Sequence, residues 1–462
     1  MAAKQPLFVD SHAHLDGGRF SDDLDEVVQR AADNGVTTIV TIGCDLASSR
    51  ASVELSERYA GVYAAVGVHP HDAGEIDDAA IEQLHALAQH PKVVAIGEIG
   101  LDYYRDRCPR QQQQLAFRRQ IHLAQQCALP IVVHDRDAHS DVMAILRAEN
   151  ASACGGVLHC FSGDETMARQ CIDLGFMLSF TGTITYPKND AIRAVIAALP
   201  IEKMLIETDC PYLAAQPWRG KRNEPAYVVE TAKTLADIKQ LSVADVARIT
   251  SGNARRLFNL DGDDNRGRIA YQIRDSLYLN ITNRCTNRCV FCAKFRDFTV
   301  KGHQLKLDHE PDFTEIITAI GDPTPYAEVV FCGYGEPLLR LDVVKQVAAW
   351  LKQRGVKVRI NSDGQANLVH KRDILPELAG LVDEISISLN APDSGNYQRI
   401  CQSAYGEQAF AAVTDFIRRA TRHIPKVVAT AVTVDGIDIE RCRRLADELG
   451  VEFRQRIYNE VG

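Results

Sequence analysis

The chain has 462 residues, 46% of them apolar and 24% charged, which is material for two or three folded domains and excludes a disordered or fibrous chain. The formal net charge is -9, with 25 Lys and Arg against 33 Asp and Glu over residues 1–260 and 27 against 28 over 261–462. Neither half is the basic body that grips duplex DNA by long-range attraction, so a nucleic acid would have to be held locally, by metals and a few arginines.

In chain order, short β-branched runs at 7–10, 37–42, 63–68, 93–96, 131–133, 156–158, 177–180 and 204–206 alternate with longer helical patterns. Eight runs with helix-length crossovers predict parallel strands closed into an N-terminal (β/α)8 TIM barrel over 1–260. Residues 261–274 read as a linker, because the stretch 261–267 is acidic, contains glycine and lacks apolar periodicity. The alternation restarts over 275–462, with runs at 277–281, 328–331, 356–360, 384–389, 427–434 and 452–457. Six strands suit an open, partial (β/α)6 barrel.

The polar residues of the first half fall where barrel strands end. His12 and His14, just after the first run, face the same way in an extended segment and can reach one ion. Matching strand ends add Glu98, His134, His159 and Asp209. Active sites of such barrels lie at the C-terminal face, so these nitrogen and oxygen donors converge there, unless they are unrelated polar caps. They are too many for one catalytic zinc, which usually keeps three protein ligands and an open position. They suit two divalent ions (Zn, Mg or Mn), with Glu98 bridging, His12, His14 and Asp209 on one ion and His134 and His159 on the other. Asp209 can also accept a nucleophile's proton, so it and Glu98 are the expected catalytic residues.

Phe8-Val-Asp-Ser-His-Ala-His14, Gly67-Val-His-Pro-His71, Gly97-Glu-Ile-Gly-Leu-Asp-Tyr-Tyr104, His159-Cys-Phe-Ser-Gly163, Glu207-Thr-Asp-Cys-Pro211 and Asn253-Ala-Arg-Arg-Leu-Phe258 together resemble the TatD family of metal-dependent deoxyribonucleases over residues 5–260. The resemblance implies an amidohydrolase-like barrel, two divalent metals on the six residues above, and phosphodiester hydrolysis, often exonucleolytic on DNA. It also implies that His69 sits near a substrate phosphate, its other reading being a loop cap before Pro70. Arg105 and Arg107, after Tyr103-Tyr104, can grip phosphate and stack on a base, or stand as solvated charges at a helix start. DNA or a nucleotide is the expected substrate, and a small amide or lactone the alternative.

Thirteen cysteines, an odd number in a large chain without a secretory pattern, point to reduced thiols. Ten of them (Cys44, Cys108, Cys127, Cys154, Cys160, Cys171, Cys210, Cys332, Cys401 and Cys442) lack ligand-like spacing and read mostly as small buried hydrophobes. Cys285-Thr-Asn-Arg-Cys289-Val-Phe-Cys292 is different: C-x3-C-x2-C directly after a strand. Zinc would want a fourth Cys or His nearby, but His303 is eleven residues on and Cys332 belongs to another strand. Three thiolates suit a 4Fe-4S cluster with one open iron, which can chelate the amino and carboxylate groups of S-adenosyl-L-methionine.

This spacing resembles the radical SAM superfamily over 275–462, and the whole arrangement resembles radical SAM proteins associated with or fused to TatD nucleases. The resemblance implies that Gly333-Tyr334-Gly335-Glu336 holds the methionine end of the cofactor, with Tyr334 standing where glycine is common. Ser386, Ser388 and Asn390 share one strand face, as do Arg359, Asn361 and Asp363. Asn361, Ser388 and Asn390 are therefore expected to contact the cofactor, unless these strand ends are merely solvated. The cluster needs an electron donor. With no window near 18 consecutive apolar residues and no signal-peptide pattern, the expectation is a cytoplasmic protein with no membrane partner. Three readings follow: a bifunctional nuclease and radical SAM enzyme, the same with a small-molecule amidohydrolase barrel, or a scaffold with inactive sites.

Overall fold

A computed structural model describes residues 5–260, 267–295 and 298–458. The chain divides into two compact units, 2–263 and 264–462. No described helix is long and apolar enough to cross a membrane.

In the first unit β1 (Phe8–Ala13), β2 (Val36–Ile42), β3 (Val62–Val66), β4 (Val93–Asp102), β5 (Ile131–Arg136), β6 (Gly156–Leu158), β7 (Phe176–Phe180) and β8 (Met204–Ile206) pair in sequence order, all parallel. A helix crosses between each pair, so every strand is covered on its outer face, and its residues can be apolar almost continuously. Val9, Val40, Tyr63, Val94, Val132, Val157 and Leu205 form the interior core together with Phe258 of the last helix, Val243–Phe258. Each such fully buried side chain contributes about 1.5–3 kcal/mol.

The ring closes between β8 and β1 through the loop that follows β8. Asp209 N donates to the His12 carbonyl at 2.9 Å and His14 N to the Cys210 carbonyl at 2.8 Å. Beneath them Thr208 donates to both oxygens of the buried Asp10, through Oγ1 at 2.6 Å and N at 2.9 Å. Burial dominates there and lifts the Asp10 carboxyl to about 8. At the opposite end Asn253, fully buried, donates to the carbonyls of Ile201 and Met204 at 2.9 and 2.8 Å. Asn253 of this motif thus ties the last helix to the start of β8. Replacing Asn253 with Ala removes both of these hydrogen bonds, although the Ile201 carbonyl keeps Met204 N, and is expected to cost about 1–3 kcal/mol, read as a lower urea midpoint for the barrel transition.

Three strands run further than their apolar patterns predict. β1 continues through Ala13, β4 through Asp102 and β5 through Arg136, so His12, Glu98 and His134 lie within strands, not after them. The hydropathy signal stops at the first polar side chain, but the hydrogen-bond ladder does not. The register of β1 on β2 is irregular between Asp10 and Ala13. That odd step moves the inward set from Val9 to His12 and His14. Further along β4, Gly100 (φ +142°) packs so tightly on β5 that a Cβ would fall 2.0 Å from the His134 carbonyl oxygen.

The second unit has one mixed sheet. β9 (Ala270–Ile273) pairs antiparallel with β10 (Ser276–Leu279). Beside it lies a small antiparallel pair, β11 (Thr299–Val300) and β12 (His303–Gln304). β10 continues in parallel through β13 (Glu328–Phe331), β14 (Val358–Ser362), β15 (Glu384–Ser388), β16 (Lys426–Thr433) and β17 (Glu452–Ile457). The six parallel strands match the six expected. β9 does not: it occupies part of the 261–274 stretch read as linker. Its four residues Ala-Tyr-Gln-Ile are too few and too polar to register as an apolar run, yet Tyr271 is buried. One sheet face (Leu277, Leu279, Val329, Phe331, Ile360, Ile385, Ile387) packs with Val344, Val347 and Phe416 of the covering helices. Alternation leaves the polar residues Arg359, Asn361, Ser386 and Ser388 on the other face.

Candidate metal centre and cysteine loop

At the C-terminal mouth of the barrel Glu98, 3% exposed, turns its two oxygens toward different partners. Oε2 lies 3.4 Å from His12 Nε2 and 3.7 Å from His14 Nε2. Oε1 lies 2.7 Å from His134 Nδ1 and 2.8 Å from His159 Nε2. Asp209 Oδ1 completes the first set, 3.3 Å from His14 Nε2 and 3.7 Å from His12 Nε2. Within the sets, His12 and His14 Nε2 are 3.2 Å apart, and His134 Nδ1 and His159 Nε2 are 3.3 Å apart. Imidazole and carboxylate donors converging this closely fit divalent cations, and the donor groups His12–His14–Asp209 and His12–Glu98–His159 each lie within 4.8 Å.

Residues behind these donors set which ring nitrogen faces inward. Ile42 O sits 3.0 Å from His14 Nδ1, with the Cys44 thiol 3.6 Å from the same nitrogen. Asp102 Oδ2 lies 3.3 Å from His134 Nε2 and 2.9 Å from His71 Nε2. Glu207 Oε1 lies 3.4 Å from His159 Nδ1 and accepts from Cys160 N at 2.7 Å, while Oε2 accepts from Ser179 Oγ at 2.6 Å. Such partners orient metal-binding histidines and raise their basicity. Asp102 and Glu207 lie in quoted motifs but received no role from the sequence. Glu207 is two residues before Asp209, and that spacing was the available signal.

Burial alone would lift the Glu98 carboxyl, but the charge of His159 and hydrogen bonds from His12, His134 and His159 hold it well below the usual carboxylate range. Burial lowers His134 and His159, yet carboxylates outweigh it: Asp102 and Glu98 raise His134, and Glu98 and Glu207 raise His159 well above its ordinary value. Without metal His159 therefore holds its proton more tightly than an ordinary imidazole, His134 is shifted the same way, and an ion that binds these rings must displace those protons. Metal affinity is expected to rise with pH through the neutral range, with net proton release. Calorimetric titration of Mn²⁺ at pH 7 in two buffers of different protonation enthalpy measures that release, which should shrink toward pH 9.

His69 Nδ1 accepts from His71 N at 3.1 Å, so in the neutral ring Nε2 carries the hydrogen; this Nε2 is 3.7 Å from Glu98 Oε1. Burial keeps His69 neutral, well below the usual imidazole range. Arg105 is not drawn into the cluster. Its amide donates to Asp102 Oδ1 at 2.7 Å, and its exposed guanidinium lies 5.5 Å from the Tyr104 ring, which Arg136 also covers at 4.2 Å. Arg107 is exposed.

In the second unit four strand ends meet. The cysteine loop follows β10, and Glu336 N, beyond β13, donates to the Arg284 carbonyl at 2.8 Å. The Cys285 thiol is 3.8 Å from Asp363 Oδ2, just past β14; Thr286 Oγ1 donates to the same oxygen. Asn390, past β15, donates to Cys401 Sγ at 3.6 Å. A hydrogen bond with Cys401 and burial push the Cys289 thiol well above its ordinary value, while burial and then Asp363 push Cys285 up. Cys401 is fully buried, as expected of a small buried hydrophobe, and nothing in its spacing, 109 residues beyond Cys292, marks its contact with Cys289.

Tetrahedral zinc with Zn–S near 2.3 Å holds its sulfurs about 3.8 Å apart. Among the described residues the groups of three metal donors within 4.8 Å of one another all belong to the barrel, and the three loop thiols form no such group. His303 is engaged elsewhere: its Nε2 lies 3.1 Å from the Gln272 carbonyl.

A Cβ on Gly333 would fall 2.3 Å from Asn280 Oδ1 and one on Gly335 2.1 Å from the Thr282 carbonyl, so this loop lies flush on the segment leading to Cys285. Tyr334 turns away, its hydroxyl donating to the Thr299 carbonyl at 2.5 Å. Glu336 is buried and committed: Oε1 accepts from Ser362 Oγ and Leu338 N at 3.0 Å, and Oε2 from Asp363 N at 2.6 Å. It therefore joins two strand ends rather than offering a free carboxylate. Asn361 Oδ1 accepts from Arg359 at 2.9 Å. Asn390 Oδ1 and Ser386 Oγ are buried without a protein partner, and Ser388 is half-buried.

Residues 9–259, more than half of the chain, match the family model described as TatD related DNase. The chain belongs to the TatD-related DNase family. Residues 279–449 match the radical SAM superfamily. A TatD metal-dependent hydrolase domain is thus fused to a radical SAM domain, and both are enzyme families. The TatD part is 43% identical to the uncharacterized metal-dependent hydrolase YabD of Bacillus subtilis, over 55% of this chain and all of that protein. It is 36% identical to a 3′-5′ ssDNA/RNA exonuclease TatD of Klebsiella pneumoniae, over 54% of this chain and 98% of that protein. The crystal structure of YJJV, a TatD homologue from Escherichia coli, superposes with a TM-score of 0.53 at 33% identity, covering 55% of this chain and 98% of that one.

Proposed function

We propose that the barrel hydrolyses phosphodiester bonds of single-stranded DNA or RNA with two divalent ions, and that the second unit carries out radical SAM chemistry with a 4Fe-4S cluster and S-adenosyl-L-methionine. The observation that carries the first part is Glu98, whose oxygens address two separate donor sets within one cluster. The Klebsiella relative's name supports the substrate class.

Two divalent ions between these donors would polarise a phosphoryl oxygen and lower the pKa of a bound water. His12, His14 and Asp209 would hold one ion, His134 and His159 the other, and Glu98 both. Burial opposes ionisation of Asp209, but hydrogen bonding from His14 and the charges of His12 and His14 keep its carboxyl below the ordinary value, so it can accept the proton of an attacking water. His69 can donate its Nε2 hydrogen to a phosphoryl oxygen. Arg105 and Arg136, around the exposed Tyr104 ring, offer charge and a stacking face to the strand beyond.

In the second unit Cys285, Cys289 and Cys292 would hold a cluster that supplies one electron for cleavage of the bound cofactor. The Gly333–Gly335 backbone can bind its methionine end, and the unpartnered atoms of Asn390 and Ser386 can hydrogen-bond its polar groups. The test has two arms. Manganese-loaded protein is offered labelled single-stranded oligonucleotides and a panel of cyclic amides; turnover of the amides alone contradicts the nuclease reading. Anaerobically reconstituted, reduced protein should release 5′-deoxyadenosine; stoichiometric zinc with no iron uptake contradicts the cluster reading.

A further inference from the structure

We propose that the outer face of the cysteine loop is a docking surface for an acidic protein that delivers single electrons, an inference that rests on the cluster reading above. Residues 284–297 contain Arg284, Arg288, Lys294 and Arg296 against a single acidic residue, Asp297, although 261–462 as a whole is nearly neutral. Arg284 is neutralised by Glu310, through Nε–Oε1 at 2.7 Å and Nη2–Oε2 at 3.0 Å. Arg288 and Lys294 have no carboxylate partner among the described residues; the Lys294 ammonium donates only to the Asn283 carbonyl, at 2.7 Å. Both cations lie over one ring, Arg288 Cζ at 5.5 Å and Lys294 Nζ at 5.8 Å from the centroid of Phe295. That ring is 50% exposed, and Val290, between two of the cysteines, is 60% exposed.

The side chains that carry this patch are fixed to the thiol-bearing segment. Phe295 N donates to the Cys292 carbonyl at 3.2 Å and Cys292 N to the Cys289 carbonyl at 3.0 Å. The loop's inner side is tied down where Arg288 N and Val290 N donate to the carbonyls of Cys401 and Ile400, both at 2.9 Å. Exposed apolar side chains rimmed by unmatched charge of one sign mark a transient protein contact, in which charge sets encounter rate and partner choice. Electron transfer weakens steeply with distance, so a donor seated on Phe295 and Val290 stands as near the three cysteines as this loop allows. The unmatched charges are positive, hence the partner's are negative. The donor loses one electron and the cluster gains it, with no bond or proton moving at the interface.

The experiment uses the full chain, reconstituted anaerobically, and compares reduced flavodoxin, an acidic flavoprotein, with dithionite as reductant. In the parent, flavodoxin-driven release of 5′-deoxyadenosine should slow as salt rises. Arg288→Glu with Lys294→Glu should slow that release at least tenfold and remove the salt dependence, while iron content and the dithionite-driven rate stay within twofold of the parent. Phe295→Ser gives the same comparison if charge reversal lowers iron content. Variants as fast as the parent with flavodoxin, or equally slow with both reductants at full iron content, overturn the docking surface. A parent that takes up no iron overturns the cluster reading instead, and the proposal with it.

Discussion

Glu98→Gln is expected to lower phosphodiester hydrolysis by about 10³-fold or more, roughly 4 kcal/mol of barrier, and to reduce the metal content below two ions per chain. The amide keeps the size of the carboxylate and removes its charge. It also replaces one acceptor oxygen with a donor that meets either the His12 and His14 nitrogens or those of His134 and His159, at 2.7–3.7 Å in the parent. One donor set therefore loses its ligand whichever way the amide turns. His134→Ala should act less evenly, weakening the ion shared with His159 more than the one held by His12 and His14. Metal analysis after dialysis, alongside turnover of an oligonucleotide, checks both. Retention of two ions and full activity in Glu98→Gln would falsify the bridging assignment.

Cys285→Ala is expected to abolish iron uptake and cofactor cleavage while leaving hydrolysis within about threefold of the parent, a difference of roughly 0.65 kcal/mol. The reason is a division of chemistry as well as of chain. Hydrolysis needs water at a hydrated pair of ions, whereas a primary carbon radical must be shielded from side reactions. Each unit also has its own core, one around Val132 and Phe258, the other around Phe331 and Phe416. Two separately folding domains, 1–260 and 275–462, remain our proposal, and residues 1–260 alone should then hydrolyse phosphodiesters without iron. Loss of hydrolysis in Cys285→Ala with the barrel metals still bound would show that the sites depend on each other.

Much of the barrel was legible because its chemistry demands particular residue types at particular strand ends. His12, His14, Glu98, His134, His159 and Asp209 were visible without any contact information, since few other side chains hold divalent ions. What lay behind them was not. Asp102 meets His134 only when β4 pairs with β5, and Glu207 meets His159 only when the ends of β6 and β8 converge, across 32 and 48 residues of sequence. The odd step in β1 was hidden too, because a period-two pattern cannot show where its own phase slips. In the second unit the three cysteines announced themselves by spacing. Cys401, packed on Cys289, did not, and neither did the hydrogen bonds by which Glu336 joins two strand ends. β9 escaped because four residues beside a charged stretch carry too little periodicity to distinguish a strand from a linker.

Anomalous scattering from crystals of the full chain, loaded with Mn²⁺ and reconstituted anaerobically with iron and sulfide, tests the central claim most directly. Data collected on either side of the manganese and iron edges locate each metal by element. Two manganese peaks should flank Glu98, one beside His12, His14 and Asp209 and the other beside His134 and His159, with one compact four-iron peak at Cys285, Cys289 and Cys292. A single ion on one side of Glu98, or a lone metal atom at the cysteine loop, would contradict it.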